Sequence, residues 1–177
     1  MEKQATDTAF ESLTLAALFY DIGRFKRRAL AENTPARVVG EAWLRERFPQ
    51  VAAALVPWQA LIAEAAALSA GGELPEEPYE DAQALQPLVS VFSKVSLPER
   101  EPYTGQERYY PLAALSEEPV YPCSQSVLSR QHYKALWDDF ETALGQLAAG
   151  RAKEISVSQA LFLLEKFTSF IPAFPSW

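Results

Sequence analysis

The sequence predicts an all-α chain, a helical bundle interrupted by an irregular, proline-rich insertion around residues 97–129. Three observations carry that expectation. Apolar residues recur at helical intervals along most of the chain, as in Leu15, Leu18, Phe19, Ile22 and Phe25, at i, i+3, i+4, i+7 and i+10. Helix punctuation separates these runs, with Thr34-Pro35 suited to open a helix and Gly150 and Pro172 suited to stop one. The composition, 49% hydrophobic with 12% aromatic, supplies a filled core for one domain over residues 1–177.

Core helices are expected at about 8–31, 35–48, 51–70, 83–96, 130–149 and 157–169. In the first, Phe10, Leu13, Ala17 and Tyr20 mark a second apolar face, so most of its circumference is expected to be buried. The second takes Thr34 as N-cap and Pro35 as its first residue, turns Val39, Trp43 and Leu44 to the core, and closes at Phe48-Pro49. The alanine-rich third contains Pro57, which must kink or divide it. Ala70-Gly71-Gly72 ends it, and residues 73–81 form an acidic loop. Leu85, Leu88, Val89, Phe92 and Val95 restore the helical period for the fourth. Prolines 98, 102, 111, 119 and 122 then break the pattern, with an extended piece at residues 108–112.

Charge and composition narrow the chemistry. Sixteen basic and 23 acidic side chains give a net charge of −7, the opposite of what wholesale phosphate neutralisation requires. There is one histidine, His132, and one cysteine, Cys123. A metal hydrolase built on several histidines lacks its ligands, and neither an internal disulfide nor a CxxC zinc site can form. No uninterrupted apolar run reaches about 18 residues, and the N-terminus is polar and acidic, so a soluble cytoplasmic protein is expected.

The segment Leu18-Phe19-Tyr20-Asp21-Ile22-Gly23-Arg24-Phe25 is the most informative. Asp21 falls inside an otherwise apolar helix, where an unpaired carboxylate would cost several kcal/mol, so a partner is expected. Two readings stand: a metal ligand, or a structural carboxylate paired with an arginine or with helix N–H groups. Arg24, Lys26, Arg27 and Arg28 follow at once. They suit either a nucleic-acid backbone or acidic partner surface, or a solvated helix end whose charges complement the dipole. His132 reads as a surface residue at a helix start, and nothing in its spacing from Cys123 supports a nucleophilic pair. Asp138 and Asp139 are adjacent on a helix, so they diverge by about 100° and read as a solvated face.

Several segments together resemble a known family. Leu18–Phe25 (LFYDIGRF) resembles the L-x-H-D-I-G-K-F motif of HD-type phosphohydrolase domains, and Leu68-Ser69-Ala70-Gly71 resembles the A-D-N-L-S-A-G segment of one branch. Pro87–Val95 (PLVSVFSKV), Tyr110-Pro111-Leu112 with Leu115-Ser116, and Leu163–Thr168 with Ile171-Pro172 continue the likeness in order. Collinear over nearly the whole chain, these blocks resemble the N-terminal HD domain of the large subunit of type III-A (Csm-type) CRISPR–Cas effector complexes.

The resemblance implies an HD-like helical bundle, in that family often a metal-dependent single-stranded DNA nuclease preceding two palm-like domains. Here Tyr20 occupies the motif's histidine position, Asp21 alone remains of the dyad, and Ala66 and Ala67 stand where the branch often has Asp-Asn. A phenol with a pKa near 10 is a poor ligand for divalent metals at neutral pH, and alanine is none. The expectation is therefore a catalytically inactive domain with no metal and no cofactor, Tyr20 and Asp21 being vestigial. Its partners would be the palm domains and other subunits of the complex, with guide RNA or single-stranded DNA reached indirectly through Arg24, Lys26, Arg27 and Arg28. No GGDD motif is present, so cyclic oligoadenylate synthesis does not carry over. Two alternatives remain: Asp21 with Glu41, Glu64 or another acid around Mg²⁺, and an unrelated helical interaction module. No membrane association is expected, and an isolated domain could dimerise through Ile171, Phe174 and Trp177.

Overall fold

The computed structural model describes residues 2–31, 33–69, 87–93, 107–125, 128–148 and 155–171. Its described part is mostly helical: α1 (Glu2–Leu18), α2 (Ile22–Leu30), α3 (Ala36–Arg47), α4 (Pro49–Leu55), α5 (Gln59–Ser69), α6 (Arg130–Ala148) and α7 (Val157–Thr168). A two-stranded antiparallel ribbon, β1 (Leu88–Val89) and β2 (Tyr109–Tyr110), lies between α5 and α6 in the chain.

The expected helix at 8–31 is two helices. At Phe19–Asp21 the chain turns tightly, with Tyr20 N–H donating to the Ala17 carbonyl and Ile22 N–H to that of Phe19. Asp21 takes φ −91°, ψ 5°, the bridge region typical of such turns. Apolar periodicity does not detect this break, because Phe19, Ile22 and Phe25 are buried on both sides of it. The turn delivers Gly23 to α3. A Cβ on Gly23 would lie 1.8 Å from the Ala36 carbonyl oxygen and 2.6 Å from the Gly40 nitrogen, so only glycine permits this approach of two backbones. Helix α2 ends at Ala31, whose φ of 57° is the left-handed C-cap conformation more usual for glycine.

Pro35, not Thr34, is the N-cap of α3, with extended ψ 137° and a carbonyl that accepts from Val39 N–H at 3.1 Å. Phe48 is likewise non-helical because Pro49 follows it, and Pro49 begins α4. Pro57 sits in a 3₁₀ turn, Val56–Trp58, that separates α4 from α5, as the proline dictates. From Pro49 to Leu68 the chain is helical over 20 residues with mean hydropathy 1.6 in its most apolar window, of which 17% is buried. By length and composition that stretch could cross a bilayer, although Gln50, Gln59 and Glu64 interrupt its apolar run. Val51, Ala52 and Leu55 of α4 nevertheless belong to the core, whereas Val56, Leu61 and Leu68 are exposed.

The expected helix at 83–96 is not formed at 87–93, the part of it that is described. Leu88 pairs with Tyr110 and Val89 with Tyr109, and Val91–Ser93 is a single 3₁₀ turn. The decisive partner lies twenty residues downstream, beyond the reach of a local periodicity. The extended piece expected at 108–112 is that partner, and its Tyr109 also exchanges two backbone hydrogen bonds with Cys123, both 2.9 Å. Ser93 Oγ accepts from Arg108 N–H at 2.8 Å, and Ser90 N–H donates to the Arg108 carbonyl at 2.8 Å. Leu115 N–H then reaches the Lys166 carbonyl at 2.7 Å and ties this region to α7.

Helix α2 packs on both α3 and α6, α1 on α4 and α7, and α6 on α7. The core between them is aromatic. Phe19 meets Trp43 at 5.3 Å between ring centroids, Phe25 meets Trp137 at 5.0 Å edge-on, and Trp137 meets Phe140 at 5.2 Å. Phe140 continues to Phe167 of α7 at 5.8 Å, edge-on. Such pairs add about 0.5–1.5 kcal/mol each beyond the area they bury. Helix α7 begins with a capping box: Ser156 Oγ accepts from Gln159 N–H, and Gln159 Oε1 accepts from Ser156 N–H.

The glycine contact yields a graded prediction. Gly23→Ala should cost about 3 kcal/mol or more, because its methyl would overlap backbone atoms that no side-chain rotation can move. At Gly40 the added Cβ would lie 3.1 Å from the Gly23 nitrogen, a mild crowding largely offset by the ~1 kcal/mol helix-propensity gain of alanine. Urea unfolding of both variants should therefore separate them by at least about 2 kcal/mol.

Candidate functional site

The structure divides the residues that the sequence grouped between surface and core. Asp21 is on the surface, its side chain 60% exposed, at the N-terminus of α2 rather than inside a helix. It makes no side-chain cap, and its Oδ1 lies 3.6 Å from Arg24 Nε. The buried carboxylate expected at this position is therefore absent, and an exposed i,i+3 ion pair contributes little to stability. Tyr20, in the same turn, is half-buried.

The basic cluster is divided by the helix period. Arg24 and Lys26 are partly exposed, while Arg27 and Arg28 are only 6% and 8% exposed, facing inward with Phe25 and Ala29. The four cations thus do not form one surface stripe. Arg28 lies over the Tyr133 ring of α6, its guanidinium carbon 5.9 Å from the centroid, a cation–π contact in a desolvated setting. Tyr133 is fully buried, with the Arg28 side chain beside it. Burial pushes its pKa above the ordinary 10.0, and the charge and hydrogen bonding of Arg28 oppose that rise.

Of the acids proposed to accompany Asp21, Glu41 is engaged by its own neighbours. Glu41 Oε1 accepts from Gln59 Nε2 at the start of α5 and faces Arg37 Nε at 3.7 Å, while its Oε2 lies 3.4 Å from Arg45 Nη2. With Leu44, Ala52, Leu55 and Val56, Glu41, Arg45 and Gln59 line a shallow depression between α3 and the α4–α5 junction. Glu64 is exposed on α5. Among the described residues no three His, Cys, Asp or Glu side chains converge where a metal ion could be held.

His132 is exposed at the start of α6, as expected, with Nδ1 2.9 Å from Ser129 Oγ. Cys123 is exposed in the bridge to Tyr109, its Sγ donating to the Gln125 carbonyl at 3.1 Å. Asp138 pairs with Lys134 at 2.6 Å on the solvated face of α6, and Asp139 is exposed beside it. Ile171 packs against the core rather than presenting a free docking face, and Phe174, Trp177, Ala70 and Gly71 lie outside the described residues.

Sequence reasoning missed Glu141. Its Oε1 accepts the Trp43 indole N–H at 2.6 Å and its Oε2 the Arg47 Nη2 at 2.5 Å, joining α6 to α3 with a carboxylate only 18% exposed. The one local signal was Trp43 itself, since a buried indole needs an acceptor. Nothing in the spacing could say which of the 23 acids supplies it.

No protein-family model, curated protein or solved structure matches the chain.

Two measurements test these contacts. Glu141→Ala should destabilise by about 2–3 kcal/mol, leaving a buried indole N–H without an acceptor, whereas Glu141→Gln should lose less and Asp138→Ala should change stability by about 0.5 kcal/mol or less. For Tyr133, the folded-state pKa is raised above the unfolded value of 10.0, so stability is unaffected by this group below pH 10. It falls as pH climbs from 10 through the raised pKa, because the unfolded chain loses the phenolic proton first. Alkaline unfolding curves for Tyr133→Phe should lack this component, with stability at pH 7 within about 1 kcal/mol of the parent.

Proposed function

We propose that the chain is a catalytically silent HD-type domain of a type III CRISPR–Cas large subunit, acting in the cytoplasm as a structural and interaction module in RNA-guided antiviral defence. The observation that carries this reading is the state of the one remaining motif acid. Asp21 stands in solvent with Arg24 as its ionic partner, beside a tyrosine at the histidine position. Activating a metal-bound water requires several ligands fixed around one ion. Asp21 alone, on a surface turn, provides one exposed carboxylate, 3.6 Å from a guanidinium.

The core argues in the same direction. Where an HD hydrolase would turn polar ligands into its centre, this chain turns Phe19, Trp43, Trp137 and Phe140. An apolar centre carries none of the desolvation cost of an empty ligand cluster. What such a domain offers the palm domains or a neighbouring subunit is shape, together with Arg24 and Lys26 as the accessible part of the basic cluster. Nucleic acid would then be met through the assembled complex rather than through a basic face of this chain, whose net charge is −7.

The test has two arms. Purified protein incubated with single-stranded DNA and Mg²⁺ or Mn²⁺ should cleave nothing above a no-protein control, and elemental analysis should find less than one transition ion per chain. Metal-dependent cleavage that Asp21→Ala abolishes would overturn the reading in favour of a nuclease with a non-standard ligand set. Co-expression with a palm-containing large subunit, the remaining subunits and guide RNA should recover the chain in the assembled particle; failure to co-purify would instead favour an unrelated helical module.

A further inference from the structure

We draw no further inference here: the strongest candidate, the exposed apolar surface of α5 and the turn before it (Val56, Trp58, Leu61 and Leu68), is an unpartnered face, and nothing in the structure shows what covers it.

Discussion

Gly23 and Gly40 bring two helix backbones together with no room for a Cβ on the first, and much of the molecule's arrangement follows from that approach. Because α2 lies this close to α3, Trp43 can reach Phe19 on one side and Trp137 on the other, and a single aromatic cluster serves four helices. The turn at Phe19–Asp21 is the means of achieving the approach. It separates α1 from α2, and the Tyr20 carbonyl lies against Gly40. The exposure of Asp21 is then a geometric by-product: a residue on the outside of a turn whose inside is pressed against a neighbouring helix must face water. The Ile22-Gly23 pair of the motif has a complete explanation in packing, one residue filling the core and the next vacating it.

Polar contacts tie α3 to its other neighbours, α6 and α5. Glu141 reaches from α6 to the indole and guanidinium of α3, and Glu41 reaches from α3 to Gln59 of α5. Both carboxylates are mostly shielded, so each bond counts for more than a surface pair, and each would be expensive to leave half-made. Arg28 plays a different part. Its aliphatic stem and planar head cover a buried tyrosine, so a cation that seemed available to a partner is used as packing material. The result is a protein whose charge pattern, read linearly, overstates its accessible positive surface.

How much of this was legible in the sequence depends on the range of the interaction. Helices α3, α6 and α7 were visible with nearly their observed limits, because Val39, Trp43 and Leu44, or Trp137 and Phe140, declare a buried face within a few turns. Pro57 announced its own break. Three features were hidden. The Phe19–Asp21 turn keeps the hydrophobic phase and so imitates a continuous helix. Leu88 and Val89 have apolar spacing suited to either structure, and only pairing with Tyr109 and Tyr110 decides between them. Asp21 reads as a buried acid because its neighbours are apolar, yet its exposure belongs to the turn's geometry rather than to the neighbours' hydropathy. Of the candidate site, residue types could be read, but not their separation: Arg27 and Arg28 differ from Arg24 only in where the helix points them.

The reach of Glu141 has a consequence for how the chain acquires its structure. Trp43 and its acceptor are 98 residues apart in sequence. The α2–α3 pair can assemble from neighbouring segments and α6 can form its own turns, but their shared aromatic interior exists only after that long loop closes. Closure of such a loop carries an entropy of roughly 4 kcal/mol on the logarithmic scaling, before any constant is added. For a protein so largely helical, the pairings that complete its core therefore include ones far apart in sequence, a topology that slows folding relative to a bundle held by local contacts alone.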